Sequence, residues 1–79
     1  MDKSRILKAA RKTAGLKMRE VVEILGQKHG KKLTVNSLNR YEMPTNFRFP
    51  DFHTAKALVK IYRERGSNIT MDDIGYGVD

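Results

Sequence analysis

The chain has 79 residues, room for one domain, and a domain that small buries only about 60 % of the surface its unfolded form exposes. Lysine and arginine number 16 against 9 aspartates and glutamates, a formal charge of +7, and the absence of cysteine excludes disulfides and thiolate metal sites. The start, Met-Asp-Lys-Ser-Arg, is charged, and no apolar run approaches the roughly 7 to 15 residues of a signal core or the ~20 of a membrane span, so a cytoplasmic protein is expected.

From Ser4 to Ala14, the apolar positions Ile6, Leu7, Ala10 and Ala14 keep helical spacing, and Gly15 supplies a stop onto which Leu16 packs back. Arg5, Lys8 and Lys12 project together from the outer face of this first helix. A second helix is predicted from Met18 to His29, with Met18, Val21, Val22 and Leu25 as its buried stripe and Gly30 at its end. Lys31 and Lys32 form the turn into a third helix over 34–43. Thr34 is its N-cap, and Leu38 and Tyr41 lie three apart on its inner side. Pro44 ends it, and Thr45-Asn46-Phe47-Arg48-Phe49 reads as a loop. The alternation Phe47-Arg48-Phe49 suits one strand of a wing less well, since no second alternating run exists to pair with it.

A fourth helix begins around Pro50, with Asp51 at its positive end. Phe52, Ala55, Leu58, Val59 and Tyr62 form its predicted buried face, Arg63 and Arg65 suit its C-terminal end, and Gly66-Ser67-Asn68 breaks it. Thr70-Met71-Asp72-Asp73 resembles a capping box opening a last short helix through Ile74. The tail Gly75-Tyr76-Gly77-Val78-Asp79 is expected to be loose or to become ordered in a dimer. The fold expected over residues 1–79 is therefore all-α, a single compact bundle of four to five short helices, with no internal repeat or domain boundary.

Charge and helix three point to the same class of partner. Residues 1–32 carry ten basic side chains against three acidic ones, whereas residues 33–79 carry six of each. A one-signed concentration attracts polyanions, because neutralised phosphates release condensed counterions, although a basic face kept for solubility has the same composition. The outer side of helix three presents Asn36, Asn39 and Arg40. Asparagine and arginine can form bidentate hydrogen bonds with adenine and guanine edges in the major groove, and Val35 can meet a thymine methyl. Val35 is also placed three residues before Leu38, where it can belong to the core, and Arg40 can pair instead with Glu42 or Glu23.

Other chemistries find little footing. His29 and His53 stand 24 apart without a neighbouring carboxylate or second ligand, and are read as surface or cap residues. Phe47 and Phe49 are read as filling gaps over a small core. Asp72 and Asp73 are explained by capping. No constellation of nucleophile, base and charge stabiliser is visible, so neither enzymatic activity nor a cofactor, metal or small-molecule ligand is expected.

The order of elements resembles the helix-turn-helix domain of the Cro/C1 repressor family, also called the XRE family, from about residue 5 to residue 74. The stretch Leu16-Lys17-Met18-Arg19-Glu20-Val21-Val22-Glu23-Ile24-Leu25-Gly26 follows the outline of that family's second helix, and Leu38-Asn39-Arg40-Tyr41-Glu42 is similar to the close of its third. Ala55-Lys56-Ala57-Leu58 and Ile69-Thr70-Met71-Asp72-Asp73-Ile74 resemble its fourth and fifth helices. The chain departs from the pattern at 27–32, six residues between Gly26 and Leu33 where the family turns at once. The departure implies a longer second helix, with Gly26 rather than Val22 giving the close approach to helix three. Met18 stands where the family has glutamine, and Met43-Pro44 where a glycine often follows the glutamate.

The resemblance implies a sequence-specific DNA-binding regulator, a repressor of the kind found in bacteriophages and mobile elements, whose third helix enters the major groove while the second crosses the backbone. By position, Val35, Asn36 and Arg40 become base readers, with Asn39 next. Thr34 and Ser37, Lys17 and Arg19 at the start of helix two, and Asn46 and Arg48 in the following loop become phosphate contacts. A homodimer on two half-sites about one helical turn apart, ~34 Å, is the implied working form. Its candidate contacts are the loop from Asn46 to Phe49 and the last helix with Tyr76. The competing expectation is an antitoxin or anti-repressor that works mainly through protein contacts.

Overall fold

The structure is a computed structural model that describes residues 3–76. It is all-helical, with four helices and no strand among the described residues: α1 (Lys3–Thr13), α2 (Met18–Lys28), α3 (Val35–Tyr41) and α4 (Phe52–Arg63). Local chemistry sets their ends. Past α1, Gly15 takes φ +72° and the chain turns back, its amide bonding to Lys12 O at 3.0 Å and that of Leu16 to Arg11 O at 3.2 Å, which satisfies two carbonyls of the last turn. Helix α2 opens with the Lys17 amide donating to Glu20 Oε1 at 2.8 Å. At its close, Leu25 O accepts from both His29 N and Lys31 N, with Gly30 at φ +63° between them.

In α3, Thr34 Oγ1 accepts from Ser37 N at 3.1 Å, the cap read from the sequence, and Leu33 just before it packs against the buried cluster. The predicted fourth helix starts two residues later than Pro50, with Asp51 as N-cap and Pro50 buried beneath it. Thr54 and, more weakly, Lys31 hold the Asp51 carboxyl below the ordinary carboxylate range.

Helix α4 is the hub of the core and packs against α1 and α2. Ala55, Leu58, Ile61 and Tyr62 are fully enclosed on it, and they meet Leu7 and Ala10 of α1, Val21 and Leu25 of α2, and Leu38 and Tyr41 of α3 in one cluster. Its predicted inner face needs one correction. Phe52, expected inside, is 45 % exposed, because it is the first residue of the helix and its ring lies against Tyr76 and His53 at the surface, while Ile61 and Ala57 take up the packing.

Two further expectations are corrected. The short fifth helix is a single turn: Thr70 N donates to Asp73 Oδ2 at 3.0 Å and Asp73 N to Thr70 Oγ1 at 3.2 Å, so the capping box forms, but the chain turns away after Ile74 enters the core. Nor is the tail loose throughout. Tyr76 donates its hydroxyl to Pro50 O at 2.7 Å and lays its ring against Phe49 and Phe52, while residues 77–79 lie outside the described residues.

An ion pair is built into the core side of α1 and α3. Arg11 Nε lies 2.8 Å from Glu42 Oε2, its second nitrogen donates to Oε1 at 3.0 Å, and its third donates to Leu16 O at 2.9 Å. The two side chains are only 12 % and 2 % exposed. Hydrogen bonding to Glu42 raises the Arg11 pKa against the cost of burial, so the guanidinium stays charged. Tyr62 lies close enough to feel both charges; burial first, then the Glu42 charge, push its pKa up. Its hydroxyl is buried with no hydrogen-bond partner among the described residues. Tyr62→Phe therefore removes an unpaired polar atom rather than a bond, and we expect it to stabilise the fold by about 1 kcal/mol in urea unfolding. A loss of that size would show that the hydroxyl is bonded after all.

Candidate nucleic-acid interface

Helix α3 has seven residues, about 10 Å of rod, against a B-DNA major groove about 12 Å wide. At 100° per residue, Leu38, Tyr41 and the cap residue Glu42 point into the core, Asn36 and Arg40 fall on the opposite side, and Asn39 lies on the flank between. Val35 sits at the edge between the two and is 42 % exposed, so its methyls are presented outward rather than packed away. Asn36 and Arg40 are exposed, and neither side chain has a hydrogen-bond or ion-pair partner among the described residues. Glu42, one of the carboxylates expected to compete for Arg40, is fully engaged by Arg11. Asn39 is half-buried and its amide donates to Met43 Sδ at 3.3 Å, a weak contact that a base edge would have to displace.

The residues expected at phosphates are less uniform. Lys17 and Arg19 are exposed at the start of α2. The Lys17 amide is already used by Glu20, so the ammonium and guanidinium, not that amide, are what this corner offers an anion. The Thr34 and Ser37 hydroxyls lie 3.0 Å apart and are committed to each other and to the cap. Asn46, exposed in the loop, holds φ +54°, a left-handed turn that asparagine tolerates. Arg48 is tethered by its amide to Arg40 O at 3.2 Å, but its side chain lines a hollow with Lys31, Lys32 and Tyr41. It therefore stands on the flank of α3, not on the face that carries Arg40.

The lengthened 27–32 segment does not place a glycine in the helix contact. Gly26 is exposed, and a Cβ there would meet nothing nearer than Lys31 O at 4.0 Å, which overturns the expectation that it sets the approach of α2 to α3. Fully buried Val21 and Leu25, with Val22 partly buried beside them, fill the α2 side of the core instead.

The structure also assembles a surface that sequence reasoning placed only in part. Phe49, Phe52 and Tyr76 come together with ring centroids 5.1 and 5.4 Å apart through Tyr76, and Phe47 adds an edge contact to Phe49 at 6.2 Å. Tyr76 packs against the core cluster, whereas Phe49 and Phe52 remain 40 % and 45 % exposed and lie over Tyr76 rather than over the core, contrary to the gap-filling role expected of Phe49. The Arg11–Glu42 pair was missed, although a signal existed: Arg11 follows Leu7 by four and Glu42 follows Leu38 by four, so opposite charges occupy the apolar registers of two helices. No family model, curated protein or solved structure matches the chain.

Proposed function

We propose that this protein is a sequence-specific double-stranded DNA-binding regulator of the repressor kind, acting in the cytoplasm and reading the major groove with α3 through a helix-turn-helix formed by α2 and α3. The observation that carries the reading is the outer face of α3, where the Arg40 guanidinium and the Asn36 amide stand exposed without partners among the described residues while Glu42 is held by Arg11. Exposed donors and acceptors on one face of a short helix beside a strongly cationic sequence suit base edges and phosphates. In this reading Val35, Asn36 and Arg40 read bases, Asn39 joins after releasing Met43, and Lys17, Arg19 and Asn46 hold the backbone. The proposed dimer forms through the aromatic surface of Phe47, Phe49, Phe52 and Tyr76, close to α3 because Arg48 is bonded to Arg40.

The testing experiment is selection of bound sites from random duplex DNA, followed by titration of the selected site at several salt concentrations. A defined site and a log K that falls with log salt at a slope near −0.9 per neutralised phosphate are the expected results. Lys17→Ala should weaken all duplexes alike and lower that slope by about 1, with base preference kept. The same aromatic surface favours the second reading, an antitoxin or anti-repressor that docks on another protein through those rings. Absence of any preferred DNA site, together with salt-insensitive binding to a protein partner, would replace the first reading by the second.

A further inference from the structure

His29 and His53, far apart in sequence, line the same hollow. It has a volume of ≈ 500 Å³ and is lined by His29, Gly30, Lys31, His53, Lys56, Ala57 and Lys60. His53, Lys56, Ala57 and Lys60 follow a 3-1-3 spacing, so they form one stripe along α4. Across from that stripe stands the end of α2, where His29 is the C-cap and the Lys31 amide bonds back to Leu25 O, turning Lys31 toward α4. The small side chain of Ala57, itself buried, leaves the hollow open between the longer ones.

The charge of this hollow is one-sided. Three lysines and two histidines line it and no carboxylate does; Asp51, in the neighbouring hollow, is 3.5 Å from Lys31. Glu64, four residues past Lys60, shares a neighbouring hollow with Lys56 and Lys60 on the next strip of α4 but does not line this one. Gathering like charges around a concavity raises the energy of the folded chain unless a counter-anion occupies it. Among the described residues no three potential metal ligands cluster, and ammonium groups repel cations, so the chemistry is that of an anion site. Several ammonium and imidazole N–H donors converging from two sides suit a group with many charged oxygens.

We infer that the hollow between the end of α2 and the outer face of α4 is a phosphate-binding site, separate from the face of α3 and independent of whether that face reads bases. The phosphates are those of a free polyphosphate compound or of a DNA backbone. Its volume is in the range of sites that take nucleotide-sized ligands. Lys31 also lines the neighbouring hollow that holds Lys32, Arg48 and Asp51, so basic side chains, three against one carboxylate there, continue from the flank of α3 to α4.

The test is an amide-resolved NMR titration of the full chain with inorganic tripolyphosphate. Resonances of residues 29–31, 53, 56, 57 and 60 should shift together, and Lys56→Gln with Lys60→Gln should weaken the binding about tenfold, the effect of losing roughly one charge-assisted hydrogen bond. Arg40→Ala should leave it unchanged. A second arm adds a random-sequence duplex to the double variant. Loss of duplex affinity with a shallower salt dependence assigns the phosphates to DNA backbone; unchanged duplex affinity assigns them to a free compound. If the double variant is not folded, Lys31→Gln and His53→Gln separately serve the same purpose. Tripolyphosphate shifts spread equally over α1, α2 and α3, or binding unaffected by the substitutions, would overturn the assignment.

Discussion

Arg11→Met should cost about 3–5 kcal/mol of stability, a large share of the about 4–12 kcal/mol available to a domain of this length. The reason is what the substitution leaves behind. Glu42 is 2 % exposed, and without Arg11 its carboxylate keeps neither of the bonds at 2.8 and 3.0 Å; Leu16 O loses its donor as well. An unpaired buried charge is far more costly than a missing attraction. The companion experiment separates the two: Arg11→Met combined with Glu42→Leu removes both charges and should recover most of the loss or exceed the parent, since apolar packing often equals a buried pair. Urea unfolding of the two variants decides it. A single variant that loses less than about 1 kcal/mol would mean that Glu42 reaches water when its partner is gone. The pair also bears on function, because it fastens the end of α3 to α1 and so fixes the angle at which the outer face of α3 is held.

Arg40→Ala should weaken binding to the selected duplex by about 1–3 kcal/mol and relax preference at one base pair, with Asn36→Ala doing the same at a neighbouring position. Neither side chain has a partner within the described residues, so folding stability should move by no more than about 0.5 kcal/mol. The tether from Arg48 N to Arg40 O survives, because it uses backbone only. This contrast between intact folding and changed base preference distinguishes a reading residue from a structural one. Site selection repeated with Arg40→Ala measures it directly, and an unchanged preferred sequence would remove Arg40 from the readers.

The amino-acid sequence by itself determined the helices and most of their ends. Thr34 caps the residue three positions on, Gly15 and Gly30 admit the left-handed turns, and Pro50 with Asp51 precedes α4, all through contacts within about one turn of chain. The inner and outer sides of α3 follow from the same short-range geometry, so Leu38 and Tyr41 against Asn36 and Arg40 was legible. Interactions between distant segments were decided only by the tertiary structure. Arg11 meets Glu42 across 31 positions, His29 joins His53 at one hollow, and Tyr76 returns to Pro50 across 26 positions. Helical periodicity tells which way a side chain faces about its own axis, but not which element lies opposite. That depends on how α4 seats against α1 and α2, a packing solution reached by the whole core at once.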